Sequence, residues 1–399
     1  MEISVKKADR IAVIDVLRGF TLLGIILVHF TEQYYAGQAP KSHENFTNHI
    51  VSDQIVSFII GLLISGKFFM IFSFLFGLSF FIQFHRSEQQ GSFVIRFAWR
   101  LLVLFGIGLI HSLHYRGDIL TIYAVLGLIL LICYKLPDKI LLIVAFLLVF
   151  NVPSILVRTV ALINPESSSS SFFNADQSTL EAYYSTLKSG SYLEILKANF
   201  YELKGKYDFQ MESGRAYITL GLFLLGLYVG RKNIFQDTLF FKKLIRYSLW
   251  AMLGCVIFAL AFFGGTQALG IELKMPAQWL IGGAIVDFFN AALAAIYVGL
   301  IVTLFQKEKW NKRLMNFYAV GRMGLTTYLM QTLIGIILFF SIGFSLLGEI
   351  GTTACAGIAI VVFILQIAFS NYWLKRFHYG PVEWLWRSLT YLKIQSFRK

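Results

Sequence analysis

Apolar residues fall into ten long blocks, over 11–30, 68–84, 94–111, 119–134, 140–163, 216–230, 244–263, 280–305, 314–340 and 353–374, separated by short polar, mostly basic connections. A helix needs roughly 20 mostly apolar residues to cross the hydrocarbon core of a bilayer. Each block therefore predicts one membrane-spanning helix, and the chain an all-α polytopic transmembrane bundle forming a single integral membrane domain over 1–399. The apolar stretch 55–65 is too short to span and reads as a re-entrant or interfacial helix leading into the second span. No internal repeat and no pair of broken helices stands out.

Two connections are long. The one that starts at Thr31 is polar and carries His43 and His49, while 164–215 passes a serine run at 167–171 and then patterns as amphipathic helix around 180–203. The second reads either as a lid over an external cavity or, at its start, as a linker. The tail 378–399, with Trp384, Trp386 and scattered basic residues, reads as an interfacial segment.

Composition agrees with the pattern, since 57% of residues are hydrophobic and 14% charged, against about a quarter charged in soluble domains. The net charge of +13 does not point to nucleic acid, because Lys and Arg lie in short clusters between apolar blocks. Assigned to ten spans, 23 of these charges fall in the loops on one side and 8 on the other, five of them in 164–215. Positive charge marks the cytoplasmic side, so both termini are expected inside. Cys133, Cys255 and Cys355 each lie in an apolar block, which argues for burial and against a disulfide framework. The first block is too long, and with Asp15 and Arg18 too polar, for a cleavable signal peptide.

Ionisable groups inside a bilayer cost several kcal/mol and generally face a bundle interior or a watery cavity. The first block carries Asp15, Arg18 and His29. At ~100° per residue, His29 lies about 20° from Arg18 and about 40° from Asp15 in projection, so the three share one helix face. A rise of ~1.5 Å per residue separates Arg18 from His29 by roughly 16 Å, enough for a polar stripe across much of the membrane. The plainer reading makes Asp15 and Arg18 an i,i+3 pair near the headgroups, with His29 reaching the opposite interface. Lys67, His111, His114, Arg116 and Asp118 fall at the His29 level, with Asp287 in the outer part of the eighth span. His111 and His114 have one-turn spacing, but no ligand-rich partner segment supports a metal site. On the inner side Arg18, Arg100 and Arg322 are placed to converge on an anion, although topology anchoring explains Arg100 equally well. The glycines Gly19, Gly24, Gly61, Gly77, Gly106 and Gly108 suit close helix packing and form no phosphate-binding motif.

The run Arg10-Ile11-Ala12-Val13-Ile14-Asp15-Val16-Leu17-Arg18-Gly19 resembles the first-helix signature of YeiB-like membrane proteins. Gly66-Lys67-Phe68-Phe69, Phe74-Leu75-Phe76-Gly77 and the stretch from His111 through Gly117-Asp118-Ile119-Leu120 to Tyr123-Ala124 are similar to that family's middle motifs. So are Gly321-Arg322-Met323-Gly324-Leu325-Thr326-Thr327-Tyr328 and Gly380-Pro381-Val382-Glu383-Trp384-Leu385-Trp386-Arg387, so the resemblance covers nearly the whole chain. The family is similar in turn to transmembrane acyltransferases, in which heparan-alpha-glucosaminide N-acetyltransferase and bacterial polysaccharide-decorating enzymes open with a comparable Asp-x-x-Arg helix. The bacterial enzymes end that helix with a histidine, at the spacing of Asp15 and His29; YeiB-like sequences more usually carry asparagine there.

The resemblance implies acyl transfer at a bacterial cytoplasmic (inner) membrane, from acyl-CoA, with acetyl-CoA the first choice, to an extracytoplasmic glycan or lipid acceptor. Asp15, Arg18, Arg100 and Arg322 would form the donor site and His29 the general base, with His111 or Asp118 orienting it and Lys67 stabilising the oxyanion. The bilayer and the acceptor are the expected partners, a homodimer is compatible with the sequence, and no metal or nucleic acid is expected. A secondary transporter or lipid flippase is the rival, because buried His and Asp suit a proton relay equally well.

Overall fold

The computed structural model describes residues 7–43, 46–85, 90–163 and 176–399. The serine run 167–171 and the start of the long connection, 164–175, lie outside the described residues. The described residues form eighteen α-helices and no strand. The first seven are α1 (Lys7–Thr31), α2 (Val51–Leu63), α3 (Phe68–His85), α4 (Gln90–His114), α5 (Leu120–Cys133), α6 (Asp138–Val149) and α7 (Val152–Ile163). The long connection contributes α8 (Gln177–Ser189), α9 (Tyr192–Tyr201) and α10 (Leu203–Glu212), and α11 (Arg215–Arg231) returns into the bundle. Then come α12 (Thr238–Ala268), α13 (Met275–Phe305), α14 (Glu308–Leu314), α15 (Asn316–Arg322), α16 (Gly324–Phe339), α17 (Thr352–Arg376) and α18 (Pro381–Tyr391).

Every apolar block becomes helix, so the protein is an all-α, multi-pass membrane protein. Six helical runs are long and apolar enough to cross a bilayer, three bent pairs raise the number to nine, and α5, of 14 residues, is a shorter apolar helix. The expected re-entrant or interfacial helix is α2, which leads directly into α3. α2 and α3 join into one apolar run of 35 residues, Val51–His85, about 52 Å at ~1.5 Å per residue, so part of it must extend beyond a ~30 Å core.

α6 and α7 meet at 48°, α10 and α11 at 64°, and α15 and α16 at 88°; the first and third correct the expectation of unbroken helices, while the second falls at the expected end of the connection 164–215. Each break has a local cause. Asn151 adopts φ 55° and Gly214 φ 80°, the left-handed region that Asn and Gly tolerate best, and Pro153 cannot continue a preceding helix. The first two breaks interlock, because Asn151 Nδ2 donates to the Ser213 carbonyl at 3.3 Å and a β-carbon on Gly214 would collide with the Asn151 side chain. At the third, Met323 has ψ 32° and no polar cap of its own; Glu383 from α18 supplies it.

α1 is central and packs on α15, α17 and α3. At its crossing with α15 a β-carbon on Gly321 would fall on the Asp15 carbonyl oxygen, and one on Gly19 on the Phe317 carbonyl oxygen. Small residues let backbones approach this closely, which drives helix association where lipid removes the hydrophobic incentive. Gly77 and Gly226 do the same between α3 and α11, whereas Gly61 and Gly106 face open space and have no such role. α12 lies at the periphery against α13, its apolar side chains turned outward, as a lipid-facing helix requires.

α8, α9 and α10 form a cap on the His29 end of the bundle. Two are secured locally: Asp176 accepts from Ser178 N and Thr179 N, and Ser191 with Glu194 forms a capping box. Arg116 then clamps the cap from below, its guanidinium 4.6 Å from the Tyr35 ring and 4.0 Å from Tyr183, with Nη1 3.3 Å from Glu202. Lys188 Nζ donates to Leu347 O at 2.5 Å and Ser345 O at 3.2 Å. α18 packs at the opposite end, where Trp386 Nε1 donates to Arg100 O at 3.0 Å and Trp99 Nε1 to Leu389 O at 3.0 Å.

Candidate functional site

α1 delivers His29 to the capped end of the bundle, where its ring centroid lies 5.4 Å from Tyr34, 5.3 Å from Tyr115 and 6.2 Å from Tyr328. Its Nδ1 is buried and makes no hydrogen bond. His111, in the last turn of α4, shares two of these neighbours, 6.0 Å from Tyr115 and 5.1 Å from Tyr328. The His111 ring is fixed at both nitrogens, with Nδ1 2.7 Å from Asp118 Oδ1 and Nε2 3.0 Å from Thr332 Oγ1. The two contacts fix the orientation of the ring.

Asp118 sits in the turn between α4 and α5 and is 1% exposed. Its carboxylate also accepts from Leu120 N at 3.0 Å and Thr121 N at 3.1 Å, capping α5, and from Ser112 Oγ at 3.1 Å. Lys206 reaches down from α10 to within 3.0 Å of Asp118 Oδ2, 2.9 Å of Ser112 Oγ and 2.7 Å of Thr121 Oγ1. Burial alone would raise the Asp118 carboxyl, but His111 and Lys206 together hold it well below the usual carboxylate range.

Beside this network Glu32 lines a cavity of about 240 Å³ between the end of α1 and α2, with Thr31, Ser57 and Ser65 among its walls. Arg215, the first residue of α11, lies within electrostatic reach of both His29 and Glu32.

At the other end of α1, Arg18 pairs with Asp15 at 2.6 Å and hydrogen-bonds Ser79 of α3. One turn further along α3, Gln83 accepts from Arg100 Nη1 at 2.7 Å and donates to Ser79 O at 3.2 Å. The Arg100 guanidinium lies 3.9 Å above the Trp386 ring, and Arg387 is within its electrostatic reach. Arg322 faces Asp15 while its Nη2 donates to His378 O at 3.2 Å. Arg18 and Arg322 thus act on the Asp15 carboxylate, and Arg100 lies within electrostatic reach of Arg18 and Arg387. The other nearby acid, Glu383, is committed to the start of α16, accepting from Leu325 N at 2.6 Å, Thr326 N at 3.0 Å and Thr326 Oγ1 at 2.5 Å. Such an excess of positive charge attracts anions.

Residues 229–393 match the family described as protein of unknown function DUF418. Over 98% of its length the chain is 32% identical to the uncharacterized protein YxaH of Bacillus subtilis (strain 168), covering 96% of that protein. It is 27% identical to an uncharacterized 39.9 kDa protein encoded in the amylase 3' region of Bacillus acidopullulyticus, over 96% of this chain and 94% of that one. With the uncharacterized protein YeiB of Escherichia coli (strain K12) it shares 26% identity over 96% of both chains. The chain belongs to the YeiB-like family. No solved structure matches it.

In this YeiB-like chain the structure brings His29, His111 and Asp118 together at one end of α1, and Asp15, Arg18, Arg100 and Arg322 at the other. Lys67 lies at the turn between α2 and α3. After the turn at Gly66, φ 81°, its Nζ donates to Gly61 O and Ser65 O, both at 2.8 Å, and so closes the end of α2. His111 and His114 diverge despite their one-turn spacing, since His114 turns to Ile110 O and Tyr192 OH, both at 2.8 Å. Asp287 belongs to a separate cluster at the helix breaks, accepting from Asn151 Nδ2 at 2.8 Å. Lys206, Glu32, Arg215 and Arg387 escaped selection in the sequence. For Glu32 a signal existed: it stands three residues after His29, on the same side of the helix path.

Proposed function

We propose that this protein is a membrane acyltransferase that passes an acyl group from cytoplasmic acyl-CoA to a glycan or lipid acceptor at the outer face of a bacterial cytoplasmic membrane. The observation that carries the reading is His29, whose buried Nδ1 has no partner and stands beside the fixed His111 and Asp118 pair. An imidazole with a free ring nitrogen is suited to remove a proton from an acceptor hydroxyl or amine. Asp118 and Thr332 hold the His111 ring in one orientation, and His111 in turn walls His29 through shared tyrosines. At the far end Arg18, Arg100 and Arg322 offer charge-assisted donors to the phosphates of the CoA moiety, and the acyl thioester points along α1 toward His29.

The test is acetyl-CoA turnover by purified protein. Thiol release from acetyl-CoA is expected from the parent and not from His29→Ala; unchanged turnover in His29→Ala sinks the assignment.

A second reading, a secondary transporter or flippase, draws support from the three bent helix pairs, since discontinuous helices form the substrate sites of many transporters. A thermal-shift measurement separates the two: acetyl-CoA raises the melting temperature of the acyltransferase and leaves a transporter of other cargo unmoved.

A further inference from the structure

Arg215 owes its position to the break that precedes it. Gly214 adopts φ 80° at a point where a β-carbon would strike Asn151, so α11 starts abruptly and directs its first side chain back beneath the cap. There the guanidinium lies 4.5 Å from the Phe69 ring and 5.6 Å from Phe209. Its Nε is buried and makes no hydrogen bond. Glu32 and His29 are within its electrostatic reach, yet among the described residues no ion pair joins Arg215 to Glu32 within 4.0 Å. A cation with an unpartnered buried N–H therefore lies within electrostatic reach of a carboxylate and a base. Lys67, the expected anion stabiliser, gives two of its three N–H donors to carbonyls.

We infer that Arg215 is the catalytic cation of this site, positioned to bind the thioester carbonyl oxygen and to hold the negative charge that develops there. The inference rests on the acyl-transfer reading. In the step it describes, the acceptor oxygen or nitrogen bonds to the thioester carbon while His29 takes its proton, and the carbonyl oxygen becomes an oxyanion facing Arg215. The oxyanion then collapses, the carbon–sulfur bond breaks, and CoA leaves as a thiolate that takes the proton from His29. Fixed donors aimed at a developing oxyanion act at the transition state and contribute little to ground-state binding.

Parent, Arg215→Lys and Arg215→Met proteins, purified in detergent and checked by melting temperature, are compared in acetyl-CoA binding by calorimetry and in thiol release from acetyl-CoA. Both variants are expected to bind acetyl-CoA as the parent does, because the phosphate-facing arginines lie at the other end of α1. Thiol release should fall about 100-fold in Arg215→Met and about tenfold in Arg215→Lys, whose ammonium lacks the planar fork. Added ethylguanidinium should restore part of the loss in Arg215→Met alone. Parent-level thiol release from folded Arg215→Met, or a loss explained wholly by weaker acetyl-CoA binding, overturns the inference while leaving the acyl-transfer reading in place. If Arg215→Met does not fold, parent-level release from Arg215→Lys overturns it instead. A folded parent that neither binds acetyl-CoA nor releases thiol overturns the acyl-transfer reading, and the role of Arg215 with it.

Discussion

Lys206 and Asp118 form a buried pair that joins the cap to the bundle, and their surroundings make the two ends unequal. Asp118 has six donors, from His111, Ser112, Leu120 N, Thr121 N, Thr121 Oγ1 and Lys206. Lys206→Met removes one and leaves five, so its cost should sit below the usual range for breaking a buried pair, at about 2 kcal/mol. Asp118→Asn instead leaves the ammonium with two hydroxyls and no counter-charge and weakens the cap on α5, so about 3–5 kcal/mol is expected. The double variant should cost less than the sum of the singles by about 1–3 kcal/mol, since it removes both charges at once. Reversible unfolding in mixed micelles with rising SDS, followed by circular dichroism, measures all three. If Lys206→Met is as costly as Asp118→Asn, or if the single effects simply add, the asymmetric pair is not what holds the cap. Because the folded Asp118 carboxyl is held below its ordinary range, its stabilisation is present at neutral pH. It starts to decline as pH drops below the unfolded value near pH ~4, where the unfolded chain takes up the proton first, and is gone once pH reaches the folded value.

Other predictions follow from packing and from the tail. Gly321→Ala places a β-carbon on the Asp15 carbonyl oxygen and should sharply reduce the yield of folded protein, whereas Gly106→Ala, with open space around it, should be neutral or gain up to about 1 kcal/mol. Burial raises the Glu383 carboxyl against the pull of its Thr326 and Leu325 donors, so the folded tail favours the protonated form. The melting temperature should therefore rise as pH falls from 8 toward the ordinary glutamate value of about 4.3, and Glu383→Gln should flatten that slope. Arg116→Met should loosen the cap without unfolding the bundle, seen as faster limited proteolysis near the Ser189 to Tyr192 connection with an unchanged helical spectrum.

The helices were legible because the demand that a bilayer makes is local: about 20 apolar residues suffice, whatever their neighbours. The breaks inside blocks were not, although one signal stood in the sequence as Asn151 with Pro153; the break at Ser213 and Gly214 fell at the expected end of the long connection. A hydropathy block averages over one Asn or Gly, and whether it turns left-handed depends on a partner such as the Ser213 carbonyl that only the fold supplies. The arginines at the Asp15 end of α1 were legible for a similar reason, as charges standing where charge is costly. Lys206 was hidden because it lies in a polar connection where lysine is unremarked. Its register was the available clue, since it shares a helix face with Leu203 and Gln210, and both Lys206 and Gln210 are buried.

Lys67 shows the limit from the other direction. Its position beside the second block made it one of a set of charges at the His29 level, and level along the membrane normal is all that a span assignment can give. Whether a cation at that level faces the cavity depends on rotation about its own helix and on nearby unsatisfied carbonyls. At Gly66 the chain turns left-handed, two carbonyls at the end of α2 lose their helical partners, and the nearest ammonium closes on them. Arg215 meets the opposite circumstance. The break at Gly214 lies before it, so Arg215 starts a helix, where the unpaired backbone groups are N–H donors that a guanidinium cannot satisfy. One glycine turn thus engages a lysine by giving it carbonyls to cap, and another leaves an arginine with a buried, unpartnered N–H.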